Sequence, residues 1–359
     1  MASDRFVEQI RLARATAVTA REVRDEALAA RARCLDVVRQ DRSLRQRIGD
    51  GRLGSGSAAA RPRRDSTNVR ALRMVGRADS ARSLPSHGHL CWAYQDRADF
   101  LARAVECILD GVALGQRVEY VGSGVVETLR ADLAGLDGIR DVLDDGDVAV
   151  SLVADFYPFY GHSHVVDPVA AVAARVAATE EALSAGYTGF RVVADATAVV
   201  RTPEQRDAFA RYEHLLDRQM TVRPLSALCA YDSSELGGAA VAELACLHPL
   251  ANAGCGPFQL YAEQGVDFAL TGDIDLSCDE LFSTTLRRVV PLSFDPQSFE
   301  PELVVDGQAL TFIDHQRLLV LIAAAQRAGA TVVLQNAPGT AARVAEVLKL
   351  RGVQVQPRS

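Results

Sequence analysis

The chain contains 359 residues, of which 48% are hydrophobic and 6% aromatic, and its formal net charge is −7. A length prior of roughly 100–200 residues per domain predicts two or three domains. The longest apolar run, at 318–325, is far shorter than the roughly 18–20 residues of a transmembrane helix. The start MASDRFVEQI also lacks a signal-peptide pattern, so we expect a cytoplasmic protein with no membrane partner.

Cysteine and lysine usage exclude several kinds of site. The seven cysteines are scattered and form no C-x-x-C pair, which argues against a disulfide framework and a zinc ribbon. Of the 39 basic residues, only Lys349 is a lysine. Because no G-x-x-x-x-G-K-[ST] string exists, we exclude a P-loop lysine, and a Schiff-base lysine is equally implausible. We expect no cofactor.

The amino-terminal part of the chain differs in charge from the rest. Residues 1–70 hold 16 arginines and 9 acidic residues, which leaves 23 basic and 37 acidic residues for 71–359. Residues 1–48 are predicted to be a helical arm, whose thin apolar stripe favours pairing with a partner or a homodimer. Acids interspersed with the arginines disfavour nucleic-acid binding. A flexible linker is predicted at 49–85, since its first part is rich in Gly, Ser, Pro and Arg.

Strands and helices alternate from about residue 86, which predicts a mainly parallel sheet covered by helices over 86–252. The predicted strands are 89–94, 117–124, 148–153, 190–196 and 225–231, and the predicted helices are 97–115, 167–185 and 203–219. A smaller β/α unit is predicted at 257–357. Its strands lie near 258–261, 266–271, 302–306, 331–335 and 353–355, and its helices near 276–289, 315–328 and 338–350.

Histidine and cysteine alternate at the start of the first unit. His87, His89 and Cys91 share one face of a strand, and His162 and His164 do the same in "GHSH". These are metal-ligand types, but their spacing matches no standard site, so we expect no metal.

Six pieces of the first unit carry a family resemblance: "HLCWAY", "GVALGQRVEYVGSG", "GFRVVADATAVV", the Tyr212-Glu213 pair, "ALCAYD" and "LHP". On these pieces, His89 to about Leu250 resembles the MEDS domain, a sensory domain of a dichloromethane-responsive regulator and of methanogen and methylotroph proteins. The resemblance implies a RecA/KaiC-like α/β fold without a P-loop that senses a small, hydrocarbon-derived molecule. Residues 95–99, where a phosphate loop would lie, contain no glycine or lysine and include two carboxylates, which would repel phosphate.

The candidate ligand-binding residues of the first unit are aromatic or polar and lie on its first strand, in the loop "DFYPFYGHSH" or at a strand end. Parallel sheets bind ligands at the carboxyl ends of their strands, and aromatic side chains suit an apolar pocket. The alternatives are a loop that packs over the sheet or into a dimer contact, and an ordinary polar residue at the strand end. The candidates are His89, Cys91, Trp92, Tyr94, Tyr157, Tyr160, His162 and Asp195.

The second unit resembles the STAS domain of anti-sigma factor antagonists, on the motifs "GDIDL" at 272–276 and "LTFID" at 310–314. In phosphorylatable members of that family the aspartate is followed by a serine that a kinase-like anti-sigma factor modifies. Here Asp314 is followed by His315, Gln316 and Arg317, so this switch is lost. The resemblance implies that these four residues bind a regulatory partner such as an anti-sigma factor. The alternative is that Asp314 only caps a helix, with His315 exposed in its first turn.

Together these patterns predict a cytoplasmic, non-enzymatic signalling regulator, in which a small-molecule sensor controls a non-phosphorylatable partner-binding domain. Two alternatives stay open. One is a constitutive protein-interaction scaffold without ligand sensing, and the other is a nucleotide-binding enzyme that uses Asp195.

Overall fold

A computed structural model describes residues 73–253, 255–293 and 301–358. The arm predicted at 1–48 and the linker up to residue 72 lie outside the described residues. The described residues form two units, each built on its own sheet.

The first unit contains a seven-stranded sheet in the order β1-β7-β2-β6-β5-β3-β4. Every strand pair in it is parallel, so the prediction of a mainly parallel sheet is confirmed. The strands are β1 Gly76–Arg77, β2 His89–Tyr94, β3 Arg117–Gly122, β4 Val148–Leu152, β5 Phe190–Asp195, β6 Leu225–Asp232 and β7 Leu250–Ala251.

Helices cover both faces of this sheet, as parallel strands require. They are α1 Arg97–Ala113, α2 Val126–Ala134, α3 Arg140–Asp144, α4 Val153–Phe156, α5 Pro168–Ser184, α6 Pro203–Met220, α7 Ser233–Leu236 and α8 Gly238–Ala245. The alternation along β2 sends Leu90, Trp92 and Tyr94 into one apolar core and Cys91 into the other. Full burial of a large apolar side chain stabilises the fold by roughly 1.5–3 kcal/mol.

Helix α6 begins with a capping box and Pro203 in its first turn. The Thr202 hydroxyl accepts from the Gln205 amide, and the Gln205 side chain accepts from the Thr202 amide. This reciprocal pair satisfies two backbone donors and fixes where the helix starts. Most of the second half of α6 is buried, including charged side chains, so this helix brings ionisable groups into the interior.

The second unit contains a five-stranded mixed sheet in the order β12-β11-β10-β9-β8. Only β8 runs antiparallel to its neighbour. The strands are β8 Phe258–Tyr261, β9 Phe268–Ile274, β10 Glu302–Ile313, β11 Thr331–Ala337 and β12 Val353–Pro357, and the helices are α9 Asp279–Val289, α10 His315–Arg327 and α11 Gly339–Val347.

Helix α9 of the second unit packs against α6 and α8 of the first. Arg288 is buried between them, with its Nε 2.7 Å from Asp207 Oδ1 and an Nη 2.6 Å from Glu243 Oε2. The Leu260 amide also donates to the Cys246 carbonyl at 2.6 Å. The two units are therefore joined by apolar packing and directed polar contacts.

Part of the predicted linker needs correction. Residues 76–77 pair with β7, and Ala78, Ala81 and Leu84 are buried in the same apolar core as Leu90 of β2. The Gly/Ser/Arg-rich composition that predicted a linker is confined to 49–68. The apolar residues Ala78, Ala81 and Leu84 follow it, and only the folded chain shows that they are buried. Strand β10 is also longer than the predicted 302–306, because its pairing with β9 continues through two register shifts to Ile313.

Across the described ranges, the structure contains no helix with both the length and the apolar character needed to span a membrane.

Candidate functional site

A cavity of about 590 Å³ lies at the carboxyl ends of three adjacent strands, β5, β3 and β4. This is the edge of the sheet where the sequence predicts ligand binding. Most of its wall is apolar. The lining residues are Ser123, Gly124, Leu152, Val153, Ala154, Phe159, His164, Ala198, Val199, Arg201, Thr202 and Gln205.

Three of the polar side chains that line the cavity, those of Arg201, Thr202 and Gln205, lie at or just before the start of α6. Gln205 donates from its amide nitrogen to the His164 carbonyl at 2.9 Å, which ties the loop of His164 to the helix. Arg201 forms an ion pair with Glu235. An apolar wall with a few fixed polar groups is typical of a small-molecule site.

The loop "DFYPFYGHSH" divides between the cavity and the core. Phe159 and His164 line the cavity, whereas Tyr157 is buried, with its ring 5.4 Å from Phe209 and 5.6 Å from Tyr212. Tyr160 and His162 are exposed. The predicted pocket loop therefore borders the cavity, but through Phe159 and His164 and not through the predicted Tyr157, Tyr160 and His162.

Trp92 and Tyr94 lie on the face of β2 opposite His89 and Cys91, so the structure separates these four predicted ligand-binding residues. The Trp92 indole donates to Asp99 Oδ2 at 2.9 Å. A single pocket cannot use both faces of one strand, and the predicted set therefore describes more than one environment.

Asp195 ends β5 and accepts hydrogen bonds from the Tyr94 hydroxyl at 2.9 Å and the Thr197 hydroxyl at 2.7 Å. The Arg97 Nη1 atom lies 3.6 Å from Asp195 Oδ2. Burial and the Asp195 carboxylate raise the pKa of Tyr94, so the phenol keeps its proton and donates it. These bonds give Asp195 the role of a polar group that fixes the strand end.

On the other face of β2, four side chains converge in a buried cluster: His89 from β2, Glu213 from α6, Cys229 from β6 and His248 just before β7. One ligand-type atom of each lies within 4.8 Å of the other three. We call this the buried His-Glu-Cys-His cluster. His89 is among the ligand-binding residues that the sequence predicts, whereas Glu213, Cys229 and His248 are not.

His89 lies between two carboxylates. Its Nδ1 donates to Asp217 Oδ1 at 2.9 Å, and its Nε2 donates to Glu213 Oε2 at 3.1 Å. Burial alone would lower the pKa of His89, but these hydrogen bonds and negative charges raise it to about 9. Asp217 also pairs with Arg73, and despite its burial its pKa is lowered to about 2. The charges in this part of the core are thus paired.

His248 behaves differently. Burial and the neighbouring charge of His89 lower the pKa of His248 to about 4, so its ring is neutral. Its Nδ1 donates to the Leu244 carbonyl at 3.0 Å, which leaves a lone pair on Nε2. That nitrogen is buried and has no hydrogen-bond partner among the described residues. It lies 3.7 Å from Glu213 Oε2, inside the cluster.

In the second unit, the Asp314 carboxylate caps α10 by accepting from the Arg317 amide at 2.8 Å. Asp314 therefore caps this helix, and His315 is exposed in its first turn. Arg317 is only 5% exposed and pairs with Asp279 and Asp314. Of the four predicted partner-binding residues, His315 and Gln316 are the exposed ones, while Arg317 holds the corner together.

A family model matches residues 88–249, and its description is methanogen/methylotroph, DcmR sensory domain, abbreviated MEDS. This segment therefore matches the MEDS domain family. The prediction from the six sequence pieces is confirmed, and the MEDS domain contains both the cavity and the buried cluster. The match does not extend into the second unit. No curated protein matches the chain.

Proposed function

We propose that this chain is a cytoplasmic, non-enzymatic signalling protein, in which the MEDS domain binds a small, largely apolar molecule and the second unit binds a regulatory protein. The observation that carries this proposal is the apolar cavity at three strand ends inside a domain matched as sensory. The hydrocarbon-derived ligand expected from the MEDS resemblance suits the apolar wall.

The start of α1 argues against nucleotide hydrolysis on the RecA/KaiC-like fold that we propose for the MEDS domain. The Asp96 carboxylate accepts from the Ala98 amide at 2.9 Å and so occupies the helix terminus where a phosphate would bind. Asp99 follows in the same turn and accepts from Trp92. Two carboxylates at this position favour a fold used for sensing over one used for phosphate chemistry.

We propose that the second unit is a STAS-like output domain. Its support is the capped corner at Asp314 together with exposed apolar side chains nearby. Leu276 follows β9, Phe312 lies near the end of the adjacent β10, and Leu319 lies one turn after His315, with exposed fractions of 75%, 41% and 40%. Such side chains around a rigid corner suit an anti-sigma factor or a similar protein.

Helix α6 offers a physical connection between the two activities. Its first turn lines the cavity through Gln205, and Asp207, two residues further on, forms the ion pair with Arg288 of the second unit. Further along, Asp217 accepts from the Ala262 amide at 2.7 Å. A ligand that shifted α6 would change both contacts, provided that its affinity differs between the two arrangements.

The ligand-binding step is tested with the full chain and the fluorescent probe 1-anilinonaphthalene-8-sulfonate, followed by displacement with short alcohols, ketones and haloalkanes. Ala198→Trp fills the cavity, so we expect its affinity for the probe to fall about tenfold or more. Ala149→Trp, on the exposed side of β4, is the matched control and is expected to bind like the wild type. Equal binding by both variants, or no binding at all, would favour the constitutive scaffold. Measurable ATP hydrolysis lost in Asp195→Asn would favour the enzyme.

A further inference from the structure

We propose that His89, Glu213, Cys229 and His248 form a binding site for one divalent transition metal ion of the zinc class. Four protein ligands in a closed, buried position are typical of a structural zinc site rather than a catalytic one, which keeps an open position. This proposal is independent of ligand binding in the strand-end cavity, which has different lining residues.

The distances already suit a tetrahedral ion. Metal–ligand bonds of about 2.0–2.3 Å at tetrahedral angles place the ligand atoms about 3.3–3.8 Å apart. Here Glu213 Oε2 lies 3.1 Å from His89 Nε2, 3.7 Å from His248 Nε2 and 3.9 Å from Cys229 Sγ. Cys229 Sγ lies 3.6 Å from His89 Nε2. The two remaining pairs, from His248 Nε2 to His89 and to Cys229, lie within 4.8 Å, so shifts of at most about 1 Å separate this cluster from a coordination shell.

The outward-facing atoms of two ligands are already held. Glu213 accepts the Tyr231 hydroxyl at 2.7 Å on Oε1, which leaves Oε2 directed at the cluster. The Nδ1 of His248 donates to the Leu244 carbonyl, which directs Nε2 inward. Metal-binding histidines characteristically donate their other ring nitrogen to a carbonyl or carboxylate, because this bond fixes the ring.

His89 has the same arrangement through a carboxylate. Its Nδ1 donates to Asp217, and Arg73 and the Ala262 amide hold that carboxylate in place. The carboxylate–histidine–metal arrangement orients the ring and increases its strength as a ligand. Because Ala262 lies between β8 and β9, the site would also connect the MEDS domain to the second unit.

The strongest sign of a missing partner is the Nε2 lone pair of His248. A buried polar atom without a hydrogen bond loses its hydration and gains nothing in return. Nε2 is fully buried, faces Glu213 and has no donor among the described residues. A metal ion would supply the electron-pair acceptor that this nitrogen lacks.

The charges also balance. Without a metal, the Glu213 and Asp217 carboxylates are matched by the His89 imidazolium and the Arg73 guanidinium. Binding of a divalent ion releases the Nε2 proton of His89 and the thiol proton of Cys229 to solvent. The ion adds two positive charges while two protons leave, so the net charge of the buried cluster stays the same and no uncompensated charge is created.

The test is metal analysis of the full chain, purified without chelators and then reconstituted with Zn²⁺ or Co²⁺ after chelator treatment. We expect one metal ion per chain. Co²⁺ should give the visible d–d bands of a tetrahedral site and the near-ultraviolet charge-transfer band of a thiolate ligand. Cys229→Ser should lose the charge-transfer band, and His248→Ala should lower metal affinity at least tenfold.

Two variants serve as matched controls. Cys107→Ser removes a buried thiol on α1, and His87→Gln removes a buried histidine that donates to the Met220 carbonyl, and neither belongs to the cluster. Both should keep the full metal content. Circular dichroism establishes that each variant is folded, and Co²⁺ spectra of the wild type decide the question should a cluster variant not fold. A wild type that takes up neither ion, or cluster variants that bind as the controls do, would overturn the proposal and leave a buried ion-pair network.

Discussion

The MEDS domain holds two sites of opposite character, and α6 contributes to both. The strand-end cavity is largely apolar and is bordered by a few polar side chains, one of which is Gln205 in the first turn of α6. The buried His-Glu-Cys-His cluster is filled by ionisable side chains, including Glu213 from the third turn of the same helix. An apolar cavity suits a small molecule that binds and dissociates, whereas a closed, buried set of metal-binding side chains suits a permanently bound ion.

The largest effect that sharpens this comparison is expected from Glu213→Ala. Removal of this carboxylate takes away one of the two buried partners of the charged His89 and leaves the Tyr231 hydroxyl without its acceptor. Breaking a buried pair on one side costs about 3–5 kcal/mol. Urea unfolding of the metal-free chain measures the loss. Glu181→Ala removes an exposed partner of Arg117 and should cost under about 1 kcal/mol. Similar losses in both variants would contradict the description of the cluster as a closed, paired site.

The next effect is expected where α9 of the second unit packs against α6 of the MEDS domain, a contact that we call the junction. Arg288→Ala removes hydrogen bonds to Asp207 and Glu243 and should destabilise the chain by about 2–3 kcal/mol, as hydrogen bonds to charged groups do. Proteolysis near 253–257 should become faster, since the units separate more easily. Arg287→Ala, at the neighbouring exposed position, is the control and should leave both measurements unchanged. An Arg288 variant that resists protease like the wild type would show that apolar packing alone holds the junction.

A smaller effect is expected at the corner of the second unit. Asp314→Ala removes the cap of α10 and one ion pair of Arg317, which should cost about 0.5–2 kcal/mol. Thermal unfolding followed by circular dichroism measures the shift. Asp314→Asn keeps a capping oxygen and should recover most of the loss. If the asparagine variant were as unstable as the alanine variant, the ion pair with Arg317 would be the main contribution.

The smallest effect on stability is expected from His315→Ser, which changes an exposed side chain and should shift the free energy of unfolding by under about 0.5 kcal/mol. This variant mainly tests partner binding. A pulldown that compares wild type with this variant tests whether a partner contacts the corner, and phosphate mass analysis tests whether a kinase modifies the new serine. A partner that binds both equally and leaves the serine unmodified would place the partner surface elsewhere.

Local sequence signals predicted most elements well. The apolar run "HLCWAY" predicted the bounds of β2. The predicted helix 203–219 has the same first residue as α6, Pro203, which follows the N-cap Thr202. The sequence pattern does not predict the short helices α2, α3, α4, α7 and α8. In α2 and α3 few residues are buried, so the apolar pattern is weak. Strand β10 was cut short at Asp306, since the glycine and polar residues that follow look like a turn until β9 pairs with them.

The pieces that carried the MEDS resemblance contain the whole cluster, with His89 in "HLCWAY", Glu213 beside Tyr212, Cys229 in "ALCAYD" and His248 in "LHP". Their separation concealed their relation. Glu213 lies 124 positions from His89 and Cys229 lies 140 positions from it. No spacing rule for local metal motifs covers such distances, so the sequence predicted the family but not the site.

The sequence by itself determined the alternation of strands and helices, the parallel sheet, the MEDS resemblance and the absence of a serine directly after Asp314, because each depends on short-range periodicity or on residue identity. Tertiary structure alone decided which core each face of β2 packs into, which loop residues line the cavity and which four residues meet in the core. Strand order and helix packing bring distant positions together, and neither is written in local spacing.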